Sequence, residues 1–203
     1  RRHGNYKSAK IKSKKSSEII FPERMMKQLM SRAVIGMGSN LGDKFGNIKQ
    51  GLKAISLLPA TRLIKASKIY ETDPVGYSEQ PVFYNAVLLV ETELSPNALL
   101  GACLGIEAGL GRIRTVPDGP RLLDLDLLLY ESIKTESFEL TLPHPKMMKR
   151  AFVLVPLNDI FPSGRAMGHY FLQALREMDT SGVRETLFTL NNEWMAQVES
   201  FGG

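Results

Sequence analysis

A leucine-rich segment at residues 122–130 carries aspartates at two alternate positions, Asp124 and Asp126. Side chains of a β-strand point alternately to its two faces, so a strand here places both carboxylates on one face, about 6 to 7 Å apart. The leucines at positions 123, 125 and 127 point to the opposite face. The segment therefore predicts a half-buried strand that presents two like charges side by side.

Strand-like and helix-like patterns alternate along the rest of the chain. Runs rich in β-branched and aromatic residues predict further strands at residues 33–37, 65–72, 82–93 and 152–157. Apolar residues at three- and four-residue steps predict helices at residues 45–55, 95–110 and 170–178. This mixture favours an α+β fold in which helices cover an antiparallel sheet.

Local signals mark where some of these elements begin. Ser95 followed by Pro96 is typical of a helix start, because Ser can cap the helix and Pro needs no N–H at the first position. Residues 36–43 contain three glycines and are interpreted as a tight turn from a strand into a helix. Residues 73–81 and 112–120 are expected to be loops.

Length and composition are typical of a single globular domain. The chain has 203 residues, of which 43% are apolar and 23% charged, and this length suits one core. The single cysteine, Cys103, lies among helix-spaced apolar residues, so we expect a buried structural thiol in a reducing cytoplasm. No apolar run approaches the roughly 18 residues of a membrane span.

The positive charge is concentrated at the start of the chain. Residues 1–32 hold ten Lys or Arg against two Glu, which is +8 and leaves −3 for the rest of a chain whose formal net charge is +5. A folded nucleic-acid platform carries its excess charge on the folded body instead. We therefore expect residues 1–32 to be a basic, disordered extension and residues 33–203 to be the domain.

The two aspartates have arginines close by in the sequence. Arg121 precedes them by three residues, and Arg112 and Arg114 lie in the loop upstream. Adjacent carboxylates favour a cation such as Mg²⁺, and arginines favour phosphate, so the segment predicts a site for a metal-bound phosphate compound. The alternative is a set of Asp–Arg salt bridges at a sheet edge. No P-loop motif is present, and the dinucleotide fingerprint fails at its third glycine.

Several short motifs, taken in order, resemble one known family. They are Gly-Ser-Asn-Leu-Gly at 38–42, Tyr-Glu-Thr-Asp-Pro-Val-Gly at 70–76, Asn-Ala at 85–86, Ile-Glu at 106–107, Gly-Arg-Ile-Arg at 111–114, Gly-Pro-Arg-Leu-Leu-Asp-Leu-Asp at 119–126 and Pro-His at 143–144. Over about residues 33–162 the chain resembles the 6-hydroxymethyl-7,8-dihydropterin pyrophosphokinase family. The resemblance implies a single-domain, ferredoxin-like α+β fold.

The resemblance also implies a reaction and its participants. The hydroxymethyl oxygen of the pterin attacks the β-phosphorus of ATP, and AMP leaves. Asp124 and Asp126 would hold two Mg²⁺ ions, and Arg112 and Arg121 would act on the transferring phosphates. The other implied contacts are Thr72, Val75, Phe83, Asn85 and Phe152 for the pterin, and Glu107, Arg114, Thr141, His144 and Arg150 for ATP. The implied partners are small molecules, and we expect a monomer that binds neither nucleic acid nor membrane.

The sequence does not decide which group accepts the hydroxymethyl proton, and it leaves two rival functions open. Asp126 can accept the hydroxymethyl proton, but a metal-bound alkoxide or loss of the proton to solvent would serve as well. Phe83 replaces a tyrosine that many members of the family have, and the loop at residues 115–120 lacks a lysine and a tryptophan of one member. Two rival functions are a different Asp-x-Asp transferase, such as a nucleotide-sugar enzyme, and an RNA-binding protein acting through residues 1–32.

Overall fold

A six-stranded antiparallel sheet forms the centre of the protein, seen in a computed structural model that describes residues 30–76, 79–111 and 119–190. The strands are β1 (Ser31–Ser39), β2 (Thr61–Ala66), β3 (Tyr70–Thr72), β4 (Phe83–Thr92), β5 (Asp124–Tyr130) and β10 (Val183–Glu185). Their order is β10-β3-β4-β1-β5, and β2 also pairs with β4. The long strands β1 and β4 are therefore the middle of the sheet, and they tie the other strands together.

Helices cover both faces of this sheet. The α-helices are α1 (Lys44–Ser56), α2 (Pro96–Gly109), α3 (Ala151–Ile160) and α4 (Leu172–Glu177), and a 3₁₀ turn spans Met147–Lys149. Two short hairpins complete the fold, β6 (Thr135–Glu136) with β7 (Thr141–Leu142) and β8 (Arg165–Ala166) with β9 (His169–Tyr170). The expected α+β class with an antiparallel sheet under helices is confirmed.

The sheet separates two hydrophobic cores. Ala33, Ile35 and Met37 of β1 pack with α1 and α2 on one face, whereas Val34 packs with α3 and the 3₁₀ turn on the other. This alternation follows from the two-residue period of a strand. Cys103 lies fully buried in the first core, as its apolar setting predicted, and burial raises the pKa of its thiol to about 12.

Side-chain caps form the starts of α1 and α2, and the one at Ser95 was predicted. The Ser95 hydroxyl accepts a hydrogen bond from the Ala98 N–H at 3.3 Å, and Pro96 occupies the first turn of α2, which confirms the prediction. At α1 the Asp43 carboxylate accepts from the Gly46 N–H at 2.9 Å. Both caps satisfy N–H groups that a helix start otherwise leaves without a partner.

The prediction of a strand at residues 152–157 is wrong, because this segment lies in α3. Its buried residues Val153, Leu154, Leu157 and Ile160 follow a helical period and face the second core. A short apolar run fits a buried strand and a buried helix equally well, so periodicity alone does not separate them. The single strand predicted at residues 65–72 is likewise two strands, β2 and β3, separated at residues 67–69.

Strand β1 is longer at both ends than the sequence predicted. It begins at Ser31, so two residues assigned to the basic extension pair with the sheet, and Arg32 also binds Glu131 at 2.6 Å. It ends at Ser39, so Gly36 and Gly38 belong to the strand and not to a turn. Pairing with neighbours on both sides keeps these glycines extended. Residues 1–29 lie outside the described part of the chain.

The outer edge of β5 is held by a buried carboxylate. Glu107 on α2 is only 2% exposed, and its Oε1 accepts a hydrogen bond from the Leu125 N–H at 2.7 Å. Because β5 ends the sheet on this side, that N–H points away from β1 and needs a partner from outside the sheet. Glu107 therefore fixes the part of β5 that lies between Asp124 and Asp126.

Replacing Glu107 by Ala is expected to lower the free energy of unfolding by about 1–3 kcal/mol, since it leaves the buried Leu125 N–H without an acceptor. Glu107→Gln keeps an acceptor oxygen and should retain most of the stability. Chemical denaturation of the two variants beside the parent protein measures this. Equal midpoints and slopes for the Ala variant and the parent would contradict the role given to Glu107.

Candidate active site

Three adjacent strands align an amide, a glycine and a carboxylate. In the antiparallel register Gly38 of β1 stands opposite Asn85 of β4 on one side and opposite Asp124 of β5 on the other. A Cβ atom at position 38 would lie 2.9 Å from Asn85 Oδ1 and 3.8 Å from the Asp124 Cβ. The absence of a side chain at Gly38 therefore leaves an open floor between the amide and the carboxylate.

Asp124 and Asp126 lie on the same face of β5, as the alternation predicted, and each is half-buried beside an arginine. Arg121 Nη2 lies 3.0 Å from Asp124 Oδ2, and Arg150 Nη1 lies 3.1 Å from Asp126 Oδ2. The salt bridges that the sequence left as an alternative are thus present. They place two guanidinium groups directly beside two carboxylates, which is an arrangement suited to a ligand carrying both phosphate and a cation.

A cavity of about 420 Å³ opens on one side of the two aspartates. Its polar end holds Asn85, which is 6% exposed and whose Nδ2 donates to Thr72 Oγ1 at 2.6 Å. Because the amide nitrogen is used in this way, the orientation of the Asn85 side chain is fixed. A flat, partly polar molecule can lie in this cavity with its edge against the amide.

Two aromatic rings line the same cavity, each under an arginine. The Arg121 guanidinium carbon lies 5.4 Å from the centre of the Phe83 ring, and that of Arg150 lies 5.3 Å from the Phe152 ring. These distances are typical of cation–π contacts. Val75, which is 65% exposed, stands at the mouth of the cavity. The arginines therefore connect the aromatic part of the cavity with the carboxylates.

A second cavity of about 450 Å³ reaches the same two aspartates from the side of β5 and the β6–β7 hairpin. Thr141 and His144 line it. The His144 Nδ1 accepts a hydrogen bond from the Lys146 N–H at 3.2 Å, which puts the ring proton on Nε2. Burial lowers the pKa of His144, so the ring is neutral at pH 7 and offers an N–H donor to an anion.

Most of the side chains that the sequence pointed to come together around these two cavities. Glu107 lines neither cavity and instead lies beside the outer edge of β5. Arg112 and Arg114 lie outside the described residues. The sequence missed Gly38, which it assigned to a turn, and also Lys146, Lys149 and Phe138, which line the cavities. The lysines flank a recognised Pro-His motif, but no pattern in the sequence indicates that they face the site.

The carboxylates of Asp124 and Asp126 are the side chains that could hold a metal ion at this site. Within residues 30–76, 79–111 and 119–190 there is no group of three or more His, Cys, Asp or Glu side chains able to form a complete protein cage. Mg²⁺ commonly takes one or two carboxylates and completes its shell with water and substrate phosphate, so this pair fits it. In the same ranges no helix is long and apolar enough to cross a membrane.

Comparison with known proteins identifies relatives of the chain. The model of the family described as 7,8-dihydro-6-hydroxymethylpterin-pyrophosphokinase matches residues 34–162. A 2-amino-4-hydroxy-6-hydroxymethyldihydropteridine pyrophosphokinase of Methylorubrum extorquens is 42% identical over 154 residues, which cover 76% of this chain and 98% of that protein. The folic acid synthesis protein fol1 of Schizosaccharomyces pombe is 42% identical over 154 residues, but these are 75% of this chain and 21% of that protein.

Solved structures extend the likeness to the fold. Wild-type HPPK-DHPS of Plasmodium falciparum aligns with a TM-score of 0.56 at 15% identity, covering 73% of this chain and 44% of that chain. At this identity the match shows the fold alone, and it agrees with the ferredoxin-like α+β fold that the resemblance implied and with the antiparallel sheet under helices seen here. The match over residues 34–162 and the bacterial relative, 98% of which is covered, show that the chain belongs to the 7,8-dihydro-6-hydroxymethylpterin-pyrophosphokinase family.

Proposed function

We propose that the chain transfers the diphosphate of ATP to 6-hydroxymethyl-7,8-dihydropterin at Asp124 and Asp126, releasing AMP. One observation carries the assignment to this site: both cavities, of about 420 and 450 Å³, are lined by these same two aspartates. A transfer between two bound molecules needs their reacting groups to meet at one point. The names of the bacterial relatives specify the same reaction class.

The cavity of about 420 Å³, the smaller of the two, takes the pterin. Asn85 and Thr72 form a buried polar edge that can pair with the donors and acceptors of the pterin ring. Phe83 and Phe152 supply aromatic surface for the ring faces, and Val75 contributes at the mouth. In this orientation the hydroxymethyl group extends over Gly38, where no side chain blocks its approach to Asp124.

Asp124 and Asp126 would hold magnesium, and we propose two ions, because both carboxylates line both cavities. When bound, magnesium would offset the negative charge of the triphosphate. Arg121 and Arg150 already contact the carboxylate oxygens at 3.0 and 3.1 Å. Their guanidinium groups are thus within reach of phosphate oxygens that approach the same point.

The residues then perform a direct displacement. The hydroxymethyl oxygen forms a bond to the β-phosphorus, the bond from the β-phosphorus to the oxygen of the α-phosphate breaks, and AMP leaves. Arg121 meets the charge of the moving diphosphate. Arg112, which the resemblance implies for the same phosphates, and Arg114, which it implies for ATP, lie outside the described residues. The hydroxymethyl proton passes to Asp126 or to solvent.

The larger cavity takes the nucleotide. Thr141 and the neutral His144 offer hydrogen-bond donors to its sugar and phosphates, and Arg150 reaches the phosphates from the pterin side. Glu107 acts on this site through β5, whose backbone it holds, and not through contact from within the cavity. The nucleotide-sugar alternative has no comparable support, because the relatives are named as pyrophosphokinases.

The reaction itself is tested by its nucleotide product. Incubation with Mg·ATP and the pterin alcohol is expected to release AMP in equal amount to the pterin diphosphate, with no ADP. Chromatography of the nucleotides separates the three species. Release of ADP would indicate transfer of a single phosphoryl group, and turnover of a UDP-sugar in place of ATP would favour the rival transferase.

Replacing Asp124 or Asp126 by Asn should lower the rate of transfer about 100-fold or more, the scale seen when one positioned charge-stabilising group is lost. Asn has the shape of Asp but lacks its charge, so the fold should be retained. The matched control is Glu177→Gln, which changes an exposed carboxylate on α4 and should keep full activity. A second readout is the thermal shift caused by Mg·ATP, which should shrink in both Asn variants. Near-normal activity in either variant would remove that carboxylate from the metal site.

Gly38→Ala should raise the pterin KM by about ten-fold. This corresponds to about 1.4 kcal/mol, which is the cost of losing one hydrogen bond to the pterin. The added methyl group would lie 2.9 Å from Asn85 Oδ1 and would displace an amide that Thr72 otherwise fixes. The ATP KM should change little. Gly101→Ala is the control, since a Cβ there meets no atom within 4 Å. A pterin KM equal to that of the parent would show that the floor of the cavity tolerates a side chain.

A further inference from the structure

Phe138 is fully exposed at the tip of the β6–β7 hairpin, with a relative accessibility of 107%. It does not join either hydrophobic core, so it contributes little to the stability of the fold. It does line the larger cavity, the one that ends at Asp124 and Asp126. A phenyl ring in this place has water on its faces until a ligand covers it.

The backbone that carries Phe138 is held in place by hydrogen bonds. The Ser137 N–H donates to the Leu140 carbonyl at 3.0 Å, and the Ser137 hydroxyl accepts from the Leu140 N–H at 3.1 Å. The next residue, Glu139, accepts from Asn97 Nδ2 on α2 at 3.3 Å. The turn is thus closed on itself and tied to the helix on the other side of the cavity. The backbone of Phe138 is therefore held at the rim of the cavity before any ligand arrives.

The helix side of the cavity is apolar as well. Leu100 and Leu104 on α2 line it, and Leu104 is 42% exposed. The cavity therefore has two unlike ends. Carboxylates and His144 form the end where the reaction takes place, and Phe138 with the two leucines forms the other. This pattern fits a ligand with a charged head and a flat, weakly polar tail.

We propose that Phe138 stacks on the adenine ring of ATP and that Leu104 covers the other side of the base. The proposal rests on the proposed function, which puts the triphosphate at Asp124 and Asp126. Every nucleobase has a π-face, so stacking adds affinity without selecting one base over another. Phe138 is accordingly a binding residue for the base, and it has no part in the chemical step.

Phe138→Ala is expected to raise the ATP KM and the dissociation constant of Mg·ATP about ten-fold, within the range of losses for a removed stacking ring. The value of kcat at saturating ATP should not change. Titration calorimetry with Mg·ATP in the absence of pterin gives the affinity independently of turnover. Phe138→Tyr keeps a ring and should bind ATP like the parent, and Phe138→Leu should fall between the two.

Tripolyphosphate, which has no base, provides the discriminating probe. Its magnesium complex should bind the parent and Phe138→Ala equally, because Phe138 acts only on the base. Tyr170→Ala, which removes an exposed aromatic ring from the β8–β9 hairpin, is the matched control and should leave ATP binding unchanged. Thermal unfolding in the absence of ligand should be the same for the Phe138 variants and the parent, since Phe138 joins neither core.

Three outcomes would overturn the proposal. They are an unchanged affinity of Phe138→Ala for ATP, an equal loss of affinity for ATP and tripolyphosphate, and a change in oligomeric state on size-exclusion chromatography that shows Phe138 in a contact between copies of the chain. Failure of the proposed function is distinguishable from these, because the parent protein would then release no AMP. ATP binding by calorimetry would still report on Phe138.

Discussion

The pairing of β1 with β4 and β5 is the interaction on which the site depends. These three strands bring Asn85, Gly38 and Asp124 to one level of the sheet, although the residues are far apart in the sequence. A shift of one residue in either pairing would turn the side chains of that strand to the opposite face, so the hydrophobic cores that fix the register also fix the candidate active site. The two cavities exist where they do because both cores force this alignment.

Charge balance within the site follows from the same alignment. Asp124 and Asp126 are adjacent like charges, and without cations their half-buried position would be unfavourable. Arg121 and Arg150 provide those cations in the absence of ligand. The same guanidinium groups lie over the Phe83 and Phe152 rings. A ligand against the aromatic surface and one at the carboxylates would therefore each alter the electrostatics seen by the other, since the arginines contact both.

Patterns with one physical cause were predictable from the sequence. The cap at Ser95 and the shared face of Asp124 and Asp126 depend on local geometry alone, and both are present. Other features depend on contacts between distant segments. The helix at α3 is favoured by burial in the second core, Gly38 is extended because strands flank it on both sides, and Phe138 matters only because its hairpin faces a cavity. From local sequence alone, α3 reads equally well as a strand, Gly38 as part of a turn and Phe138 as an ordinary surface residue.

The state of Cys103 has a practical consequence for labelling. It is the single cysteine of the chain, it is fully buried, and the pKa of about 12 leaves almost none of its sulfur as thiolate at neutral pH. Because the thiolate is the nucleophile, maleimides and similar reagents should not react with Cys103 in the folded protein. A cysteine introduced at an exposed position would then be the reactive thiol, and fluorophores or spin labels can be attached there with the native residue left in place.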